Sequence, residues 1–168
     1  AMKEKIKAAG LNGSAFHLKS APIPKVRIAL FGLGNRGQSL IDMLNWLVQE
    51  GHAEIMAISD NNPQKVQRAK EQIGTFQSLV PEVFTGTETA WEAAMSAEIA
   101  DLALICTPWE WHTKMALKAM ENGLHAASEV PIAYTPEDSM ESVRTAEATQ
   151  RHCLMLENCC YNREARWT

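Results

Sequence analysis

The chain has 168 residues, which suffices for one domain with a sizeable hydrophobic core and is too short for two ordinary domains. Its net charge of −4 and charged fraction of 21% are typical of a globular protein and argue against nucleic acid as a partner, since no basic excess is available for phosphates. No apolar run approaches the roughly 18 residues that a membrane-spanning helix needs. We therefore expect no membrane partner either.

The four cysteines do not indicate a metal site. Cys106, Cys153, Cys159 and Cys160 lack the C-x-x-C spacing of zinc ligands, and they form no evident disulfide framework. Two of them lie inside apolar, strand-like runs, where cysteine behaves as a small hydrophobic residue. The adjacent pair Cys159 and Cys160 could be redox-active, but we interpret the cysteines as buried hydrophobic residues and expect no metal ion.

Residues 1–24 show no sustained hydrophobic periodicity and contain two glycines and two prolines, so we predict a flexible lead-in. The first regular element comes directly afterwards. Val26, Ile28 and Leu30 begin a short apolar run that is typical of a buried strand. This strand ends in the sequence GLGNRG at residues 32–37.

Those six residues form a complete G-x-G-x-x-G motif. Gly32 allows a sharp turn off the strand, Gly34 lacks the Cβ that would hold a pyrophosphate away, and Gly37 lets the following helix lie close to the strand. The N-terminus of that helix would offer free N–H groups and a positive dipole end to phosphates. A glycine turn without a ligand is the alternative, which the motif alone does not exclude.

The segment after the motif supports a nucleotide site. A helical pattern follows Gly37 and ends at Gly51, and residues 54–60 then predict a second buried strand that ends in Asp60. Asp60 comes 23 residues after Gly37, close to where the fingerprint carries an acid for the adenosine ribose. Because a carboxylate repels a 2′-phosphate and no arginine follows, we predict NAD rather than NADP. The alternative is a polar strand end beside a helix cap at Asn62.

The rest of the chain alternates helices and strands. Helices are predicted over residues 63–73, 87–95, 113–122 and 136–150, and strands over residues 83–85, 100–106, 125–129 and 152–157. Such alternation implies a parallel sheet with right-handed crossovers. The predicted fold class is α/β, a doubly wound parallel sheet of the Rossmann type in a single domain. The strand order 3-2-1-4-5-6 follows by analogy with dinucleotide-binding folds.

Ligands of such sheets bind beyond the carboxyl ends of the strands. The unusual polar and aromatic segments of the chain lie at those ends, in residues 107–112, 129–130 and 158–161. Trp109 and Trp111 in a loop need something to pack on. Contact with a nucleotide is one interpretation, and packing on the following helix or on a further domain is the other.

Three motifs together resemble the nucleotide domain of the Gfo/Idh/MocA oxidoreductases: GLGNRG, T-P-x-x-x-H at residues 107–112, and E-x-P at residues 129–131. More narrowly, GLGNRG, TPWEWH, EVP and LENCCY resemble the NAD-dependent glycosidases of glycoside hydrolase family 109, over residues 25–161. Val130 stands where the broader family usually has a lysine that takes part in hydride chemistry. Valine cannot transfer a proton, and the same valine is usual in the glycosidase branch.

The resemblance implies a role for each matching residue. Asp60 would hold the adenosine ribose, and Tyr161 is the implied catalytic residue, facing the substrate. The other implied cofactor contacts are Gly32, Leu33, Gly34, Asn35, Arg36 and Gly37 in the turn, Thr107, Pro108, Trp109, Glu110, Trp111 and His112 at the nucleotide edge, and Glu129, Val130 and Asn158 on the nicotinamide side.

The same resemblance implies a domain organisation. Residues 25–161 would form the NAD-binding domain, and residues 162–168 would begin the connection to a second domain, absent from this chain, that binds a small-molecule sugar substrate. An exposed apolar patch is expected where that domain would sit, near Trp109, Trp111 and Tyr161. A homo-oligomer is also compatible with the sequence.

The implied chemistry is hydrolysis through a hydride mechanism, in which the C3 hydroxyl of a terminal α-linked N-acetylgalactosamine is oxidised by bound NAD. The glycosidic oxygen then leaves by elimination, water adds, and the hydride returns to the sugar. This route needs no pair of carboxylates at glycosidase spacing. A conventional NAD-dependent sugar oxidoreductase and an inactive nucleotide-binding fragment are the alternatives.

Overall fold

The computed structural model describes residues 10–158, in which a parallel sheet is flanked by helices. The strands are β1 Val26–Phe31, β2 Ala53–Ser59, β3 Glu82–Phe84, β4 Leu102–Ile105, β5 His125–Glu129 and β6 Cys153–Leu156. The helices are α1 Asn35–Gln49, α2 Pro63–Gly74, α3 Trp91–Ala94, α4 His112–Glu121 and α5 Pro136–Thr149. Two short 3-10 helices, Ser14–His17 and Trp109–Trp111, accompany them. Within residues 10–158, no helix combines the length and the apolar character that crossing a bilayer requires.

The strands pair in parallel in the order β3-β2-β1-β4-β5-β6. This confirms the predicted fold class and strand order. Because β1 lies between β2 and β4, the direction of winding reverses at the carboxyl ends of β1 and β4. In open α/β sheets that crevice is where ligands bind.

Both faces of the sheet are buried, since successive residues of a strand point to opposite faces and β1 is apolar on both. Leu30 lies in a core cluster with Ile41 of α1 and with residues of α2. Its neighbour Phe31 lies in a second cluster with Met115 of α4 and Ala146 of α5. Packing on both faces holds the carboxyl ends of the strands in fixed positions.

Side-chain caps and a glycine define several helix boundaries. Asn62 caps α2 by accepting a hydrogen bond from Gln64 N at 2.9 Å, and Thr135 caps α5 by accepting one from Asp138 N at 3.0 Å. Gly51 ends α1 with a φ of 78°. Most other boundaries lie within one or two residues of the prediction.

The helix predicted over residues 87–95 is wrong in extent. Only Trp91–Ala94 is helical, and Thr87 does not cap it. The Thr87 carbonyl instead accepts a hydrogen bond from Ala90 N at 3.3 Å, in a separate turn that precedes the helix. Trp91 is 5% exposed and packs in the core.

The described part of the lead-in is anchored to α5, which the sequence analysis did not foresee. The buried carboxylate of Glu147 accepts hydrogen bonds from Asn12 N at 2.8 Å and from Gly13 N at 2.6 Å. Gln150 Nε2 adds a contact to Ser14 Oγ at 3.2 Å. A buried carboxylate needs such donors, so the contact explains why an acid is tolerated on the packed side of α5.

Candidate nucleotide-binding site

Two of the three glycines in the turn after β1 are required by packing within the protein. Gly32 has a φ of +85°, and a Cβ built on it would lie 2.5 Å from the carbonyl oxygen of Cys106. A Cβ on Gly37 would overlap the carbonyl oxygen of Gly32. These two positions would need glycine even if the turn held no ligand.

Gly34 is different, because nothing in the protein requires it. A Cβ at this position would meet no atom within 4 Å, and its φ of −70° suits any residue. The absent side chain therefore leaves open space beside the turn. This is the space that a pyrophosphate needs to approach the backbone.

The N-terminus of α1 is also open. Gly34 is its N-cap, and the first turn has neither a side-chain cap nor an acidic residue. The first N–H groups of a helix need an acceptor, and α2 and α5 supply one from Asn62 and Thr135. An anion at α1 would satisfy the N–H groups and the helix dipole together.

A cleft opens at the carboxyl ends of β1, β2 and β4, beside the turn. It brings together five of the predicted residues, Gly32, Asp60, Thr107, Pro108 and Trp111. Its wall also contains residues that the sequence analysis missed, Asn61, Lys65, Thr87, Glu88 and Trp91 among them. Lys65 could have been foreseen, since it lies in the first turn of a helix that begins at this end of the sheet.

Asp60 connects the end of β2 to the glycine turn. Its Oδ2 accepts a hydrogen bond from Leu33 N at 2.8 Å, and its Oδ1 accepts one from Asn62 N at 2.9 Å. The side chain is 7% exposed, and Lys65 Nζ lies 3.9 Å from Oδ2. Asp60 thus both shapes the turn and places negative charge in the wall of the cleft.

Aromatic rings form the far wall of the cleft. Trp91 and Trp111 pack edge to face with centroids 6.1 Å apart, and Lys114 Nζ lies 4.7 Å from the centroid of the Trp111 ring. The indole Nε1 of Trp91 is buried and has no hydrogen-bond partner among the described residues. The wall is apolar and suited to a flat ring.

Three further predicted residues meet on the opposite side of the glycine turn. Arg36 Nε donates to Glu129 Oε1 at 2.7 Å, and Arg36 Nη2 donates to Asn158 Oδ1 at 2.7 Å. Glu129 is 8% exposed. These contacts tie the start of α1 to the ends of β5 and β6.

Other predicted residues are placed elsewhere. The Leu33 side chain is 1% exposed and belongs to the core. His112 is also 1% exposed, and its Nδ1 and Nε2 each lie 2.8 Å from a carbonyl oxygen, of Pro131 and Thr107 respectively. The ring therefore fastens the loop after β4 to the loop after β5, a contact within the protein that the motif did not reveal.

The two described residues of the expected exposed aromatic patch, Trp109 and Trp111, differ in exposure. Trp109 is 57% exposed and packs edge to face on Tyr134, which is 58% exposed, with centroids 6.3 Å apart. Trp111 turns into the cleft instead.

Tyr161, the predicted catalytic residue, lies outside the described residues, as do Cys159 and Cys160. Asn35 and Glu110 are exposed, and Val130 is half-buried.

Cys106 lies at the end of β4, near Arg36 and Glu129, but its chemistry is that of a core residue. Burial, reinforced by the Glu129 carboxylate, raises the pKa of this thiol to about 12. Burial also raises the pKa of Cys153 to about 11. Residues 10–158 contain no group of three or more His, Cys, Asp or Glu side chains that could hold a metal ion.

Comparison with known proteins identifies the architecture. The model of the oxidoreductase family with an NAD-binding Rossmann fold, Gfo/Idh/MocA, matches residues 26–157. The chain belongs to this family. The predicted cofactor, NAD, is thereby confirmed.

Curated relatives of this Gfo/Idh/MocA domain are longer proteins. An alpha-N-acetylgalactosaminidase of Bacteroides fragilis is 43% identical over 148 residues, which are 86% of this chain and 33% of the relative. An alpha-N-acetylgalactosaminidase of Shewanella oneidensis is 40% identical over 139 residues, which are 83% of this chain and 30% of the relative. The chain thus spans about a third of the length of these relatives.

Solved structures show the same fold at lower identity. The WlbA dehydrogenase from Chromobacterium violaceum, in complex with NADH and UDP-GlcNAcA, matches with a TM-score of 0.75 at 24% identity, covering 89% of this chain and 41% of that one. A scyllo-inositol dehydrogenase from Lactobacillus casei, with bound NAD(H) and scyllo-inositol, matches with a TM-score of 0.72 at 20% identity, covering 85% and 39%.

Proposed function

We propose that this chain is the NAD-binding domain of a glycosidase of the family 109 type, acting on terminal α-linked N-acetylgalactosamine. The observation that carries the proposal is the 43% identity to a protein named alpha-N-acetylgalactosaminidase. Val130 supports it, because a sugar dehydrogenase of the broader family would usually place a proton-transferring lysine there. The assignment of activity concerns the longer protein of which such a domain is a part.

The roles proposed for the residues follow from their positions. Gly34 and the open N-terminus of α1 bind the pyrophosphate. The cleft with Asp60 and Trp111 binds the adenosine half, because Asp60 at the end of β2 is the acid that the fingerprint places at the adenosine ribose. Arg36, with Glu129 and Asn158, then faces the nicotinamide half on the β5-β6 side.

When bound, NAD supplies a hydride acceptor at the sugar's C3 and a hydride donor later in the same turnover. The chain's own residues would hold and orient it, and Phe31 contributes an apolar part of the cleft wall. Val130 can neither take nor give a proton. Tyr161 remains our proposed group toward the substrate.

A calorimetric titration of the 168-residue chain with NAD and with NADP tests the cofactor site. We expect NAD to bind at least about tenfold more tightly, because Asp60 repels the 2′-phosphate. Asp60→Asn should bring the affinities for NAD and NADP closer together, because the repelling carboxylate is gone and Lys65 can attract the 2′-phosphate. Glu54→Gln is the matched control, since this acid of the same strand pairs with Lys25 at the other end of the sheet. NADP binding equal to NAD in the wild type would refute the role of Asp60.

The activity is tested in a chimera in which this chain replaces the matching segment of the Bacteroides fragilis relative. Hydrolysis of a nitrophenyl α-N-acetylgalactosaminide by the chimera would support the glycosidase. Net reduction of added NAD by free sugars, without hydrolysis, would favour the oxidoreductase. The 168-residue chain alone should bind NAD without turning over either substrate, because hydride transfer also needs the sugar positioned against the ring.

A further inference from the structure

The contact between Arg36 and Glu129 joins two charges at the carboxyl edge of the sheet. The guanidinium Nε lies 2.7 Å from Glu129 Oε1, and Nη2 lies 2.7 Å from Asn158 Oδ1. The Glu129 side chain is 11% exposed and that of Arg36 is 35% exposed. A carboxylate buried to this degree depends on its partner, so Arg36 supplies the charge that balances Glu129.

The pair lies across the glycine turn from the cleft. The cleft occupies the ends of β1, β2 and β4, whereas Glu129 and Asn158 stand at the ends of β5 and β6. A dinucleotide in this fold crosses the switch point, with one nucleoside on each side. If the cleft takes adenosine, as proposed above, the pair faces the nicotinamide, and the present inference rests on that function.

The two redox states of the cofactor differ in charge at this position. The oxidised nicotinamide ring is a cation, and the reduced ring is neutral. A carboxylate therefore favours the oxidised form, and a guanidinium favours the reduced one. With the ion pair intact, the two effects oppose each other.

We propose that Arg36 and Glu129 together set the relative affinity of the site for NAD⁺ and NADH. The balance matters for the proposed function, because a cofactor that is reduced and reoxidised within one turnover must be held in both states. An unpaired Glu129 would hold the oxidised form too strongly, and an unpaired Arg36 the reduced form. Arg36 is thus a positioning residue that adjusts the relative affinity for the two redox states, in addition to being part of the glycine turn.

The test is a titration of the chain with NAD⁺ and with NADH, in which the ratio of the two dissociation constants is the readout. Arg36→Gln should lower Kd(NAD⁺)/Kd(NADH) by about threefold or more, and Glu129→Gln should raise it by a similar factor. A threefold change corresponds to about 14 mV in the midpoint potential of the bound two-electron couple, at 29.6 mV per tenfold. The double variant should return close to the wild-type ratio.

Arg27→Gln is the matched control. Arg27 also forms an ion pair, with Asp101, but at the opposite end of the sheet. Its loss should leave the ratio unchanged. A purely structural role of Arg36 would weaken both nucleotides equally and would likewise leave the ratio unchanged.

The outcomes separate this inference from the proposed function. If both nucleotides bind and neither single variant moves the ratio, the inference is overturned while the NAD site stands. If the wild-type chain binds neither nucleotide, the proposed site itself fails. If Arg36→Gln does not fold, Glu129→Gln decides alone, because it keeps the size and the hydrogen-bonding capacity of the side chain.

Discussion

The two ends of the sheet use arginine in opposite ways. At the amino end, the Arg27 guanidinium donates four hydrogen bonds to protein acceptors: both carboxylate oxygens of Asp101, and the carbonyls of Ala97 and Glu98 at 2.9 and 2.8 Å. Although burial opposes it, these bonds hold the pKa of Asp101 below its usual range. At the carboxyl end, Arg36 makes two side-chain bonds, and the neighbouring Gly34 faces empty space.

This difference shows at which end of the sheet the polar groups are satisfied by contacts within the protein. Self-contained contacts at the amino end contribute to folding, so changes there should affect stability and leave the ligand alone. Open donors and open space at the carboxyl end contribute to binding, so changes there should affect the ligand first. The exceptions at the carboxyl end are the glycines that packing requires.

The largest effect is expected for Gly37→Ala. Its Cβ would overlap the Gly32 carbonyl oxygen, and relieving that clash has to move α1 away from β1. We expect a loss of about 3 kcal/mol in the free energy of unfolding, together with loss of NAD binding. Urea denaturation measures the first quantity. Gly34→Ala, three residues earlier, is the control and should change stability by less than about 1 kcal/mol.

The next largest effect is the loss of NAD affinity in Gly34→Val. A Cβ at this position meets no protein atom within 4 Å, so we expect the fold to tolerate valine, whose side chain would occupy the space proposed for the pyrophosphate. We expect calorimetry to show affinity reduced about 100-fold, or roughly 2.7 kcal/mol, in a variant that melts close to the wild type. Gly74→Val is the control. Gly74 is equally open, but it is the last residue of α2 and lies at the amino end of the sheet. Unchanged affinity in a folded Gly34→Val would mean that the turn does not hold the pyrophosphate.

Asp101→Asn tests the amino end. The substitution leaves Arg27 without its counter-charge, and we expect a loss of about 1 to 3 kcal/mol in unfolding free energy. NAD affinity should stay at the wild-type value. The control is Glu141→Gln, which breaks an exposed pair with Arg144 on α5 and should have almost no effect. A weaker NAD affinity in Asp101→Asn would contradict the separation of the two ends.

The comparison also explains how much the sequence could predict. Strands, helices and the glycine turn follow from local patterns of apolar residues, caps and glycines, so the fold and strand order were predicted correctly. Contacts between distant side chains have no such local signature. The Arg36–Glu129 pair spans 93 positions, and the Glu147–Gly13 contact spans 134.

Gln77 gives a second example of what sequence patterns do not show. Its side-chain amide accepts from Ile55 N at 2.8 Å and donates to Ile55 O at 2.9 Å. β3 pairs with β2 only from Ala57 onward, so Gln77 takes the place of a strand neighbour. A buried glutamine in a loop looks like any other polar loop residue until the sheet is formed.

The smallest predicted effect concerns pH and again belongs to the amino end. Burial lowers the pKa of His125, and the neighbouring His152 and Arg151 lower it further, while Asp101 raises it. Geometry agrees, because His125 Nδ1 accepts a hydrogen bond from His152 N at 3.0 Å and must be unprotonated to do so. On the other side of the ring, Nε2 lies 3.5 Å from Ser20 Oγ.

The sign follows from proton linkage. The unfolded chain protonates this histidine near pH 6.5 and the folded chain only at lower pH, so the unfolded state holds more protons between the two values. The stability contributed by neutral His125 is therefore complete above about pH 7 and is lost as pH falls through that window. The effect should be small, since the ring is partly exposed and solvent screens it.

Urea denaturation at pH 7.5 and 5.5 tests this. Between the two pH values the wild type should lose more unfolding free energy than His125→Asn, whose side-chain oxygen can accept the same hydrogen bond without titrating. Equal losses in the two proteins would assign the pH dependence to other histidines, and a matching change in NAD affinity would place it at the carboxyl end instead.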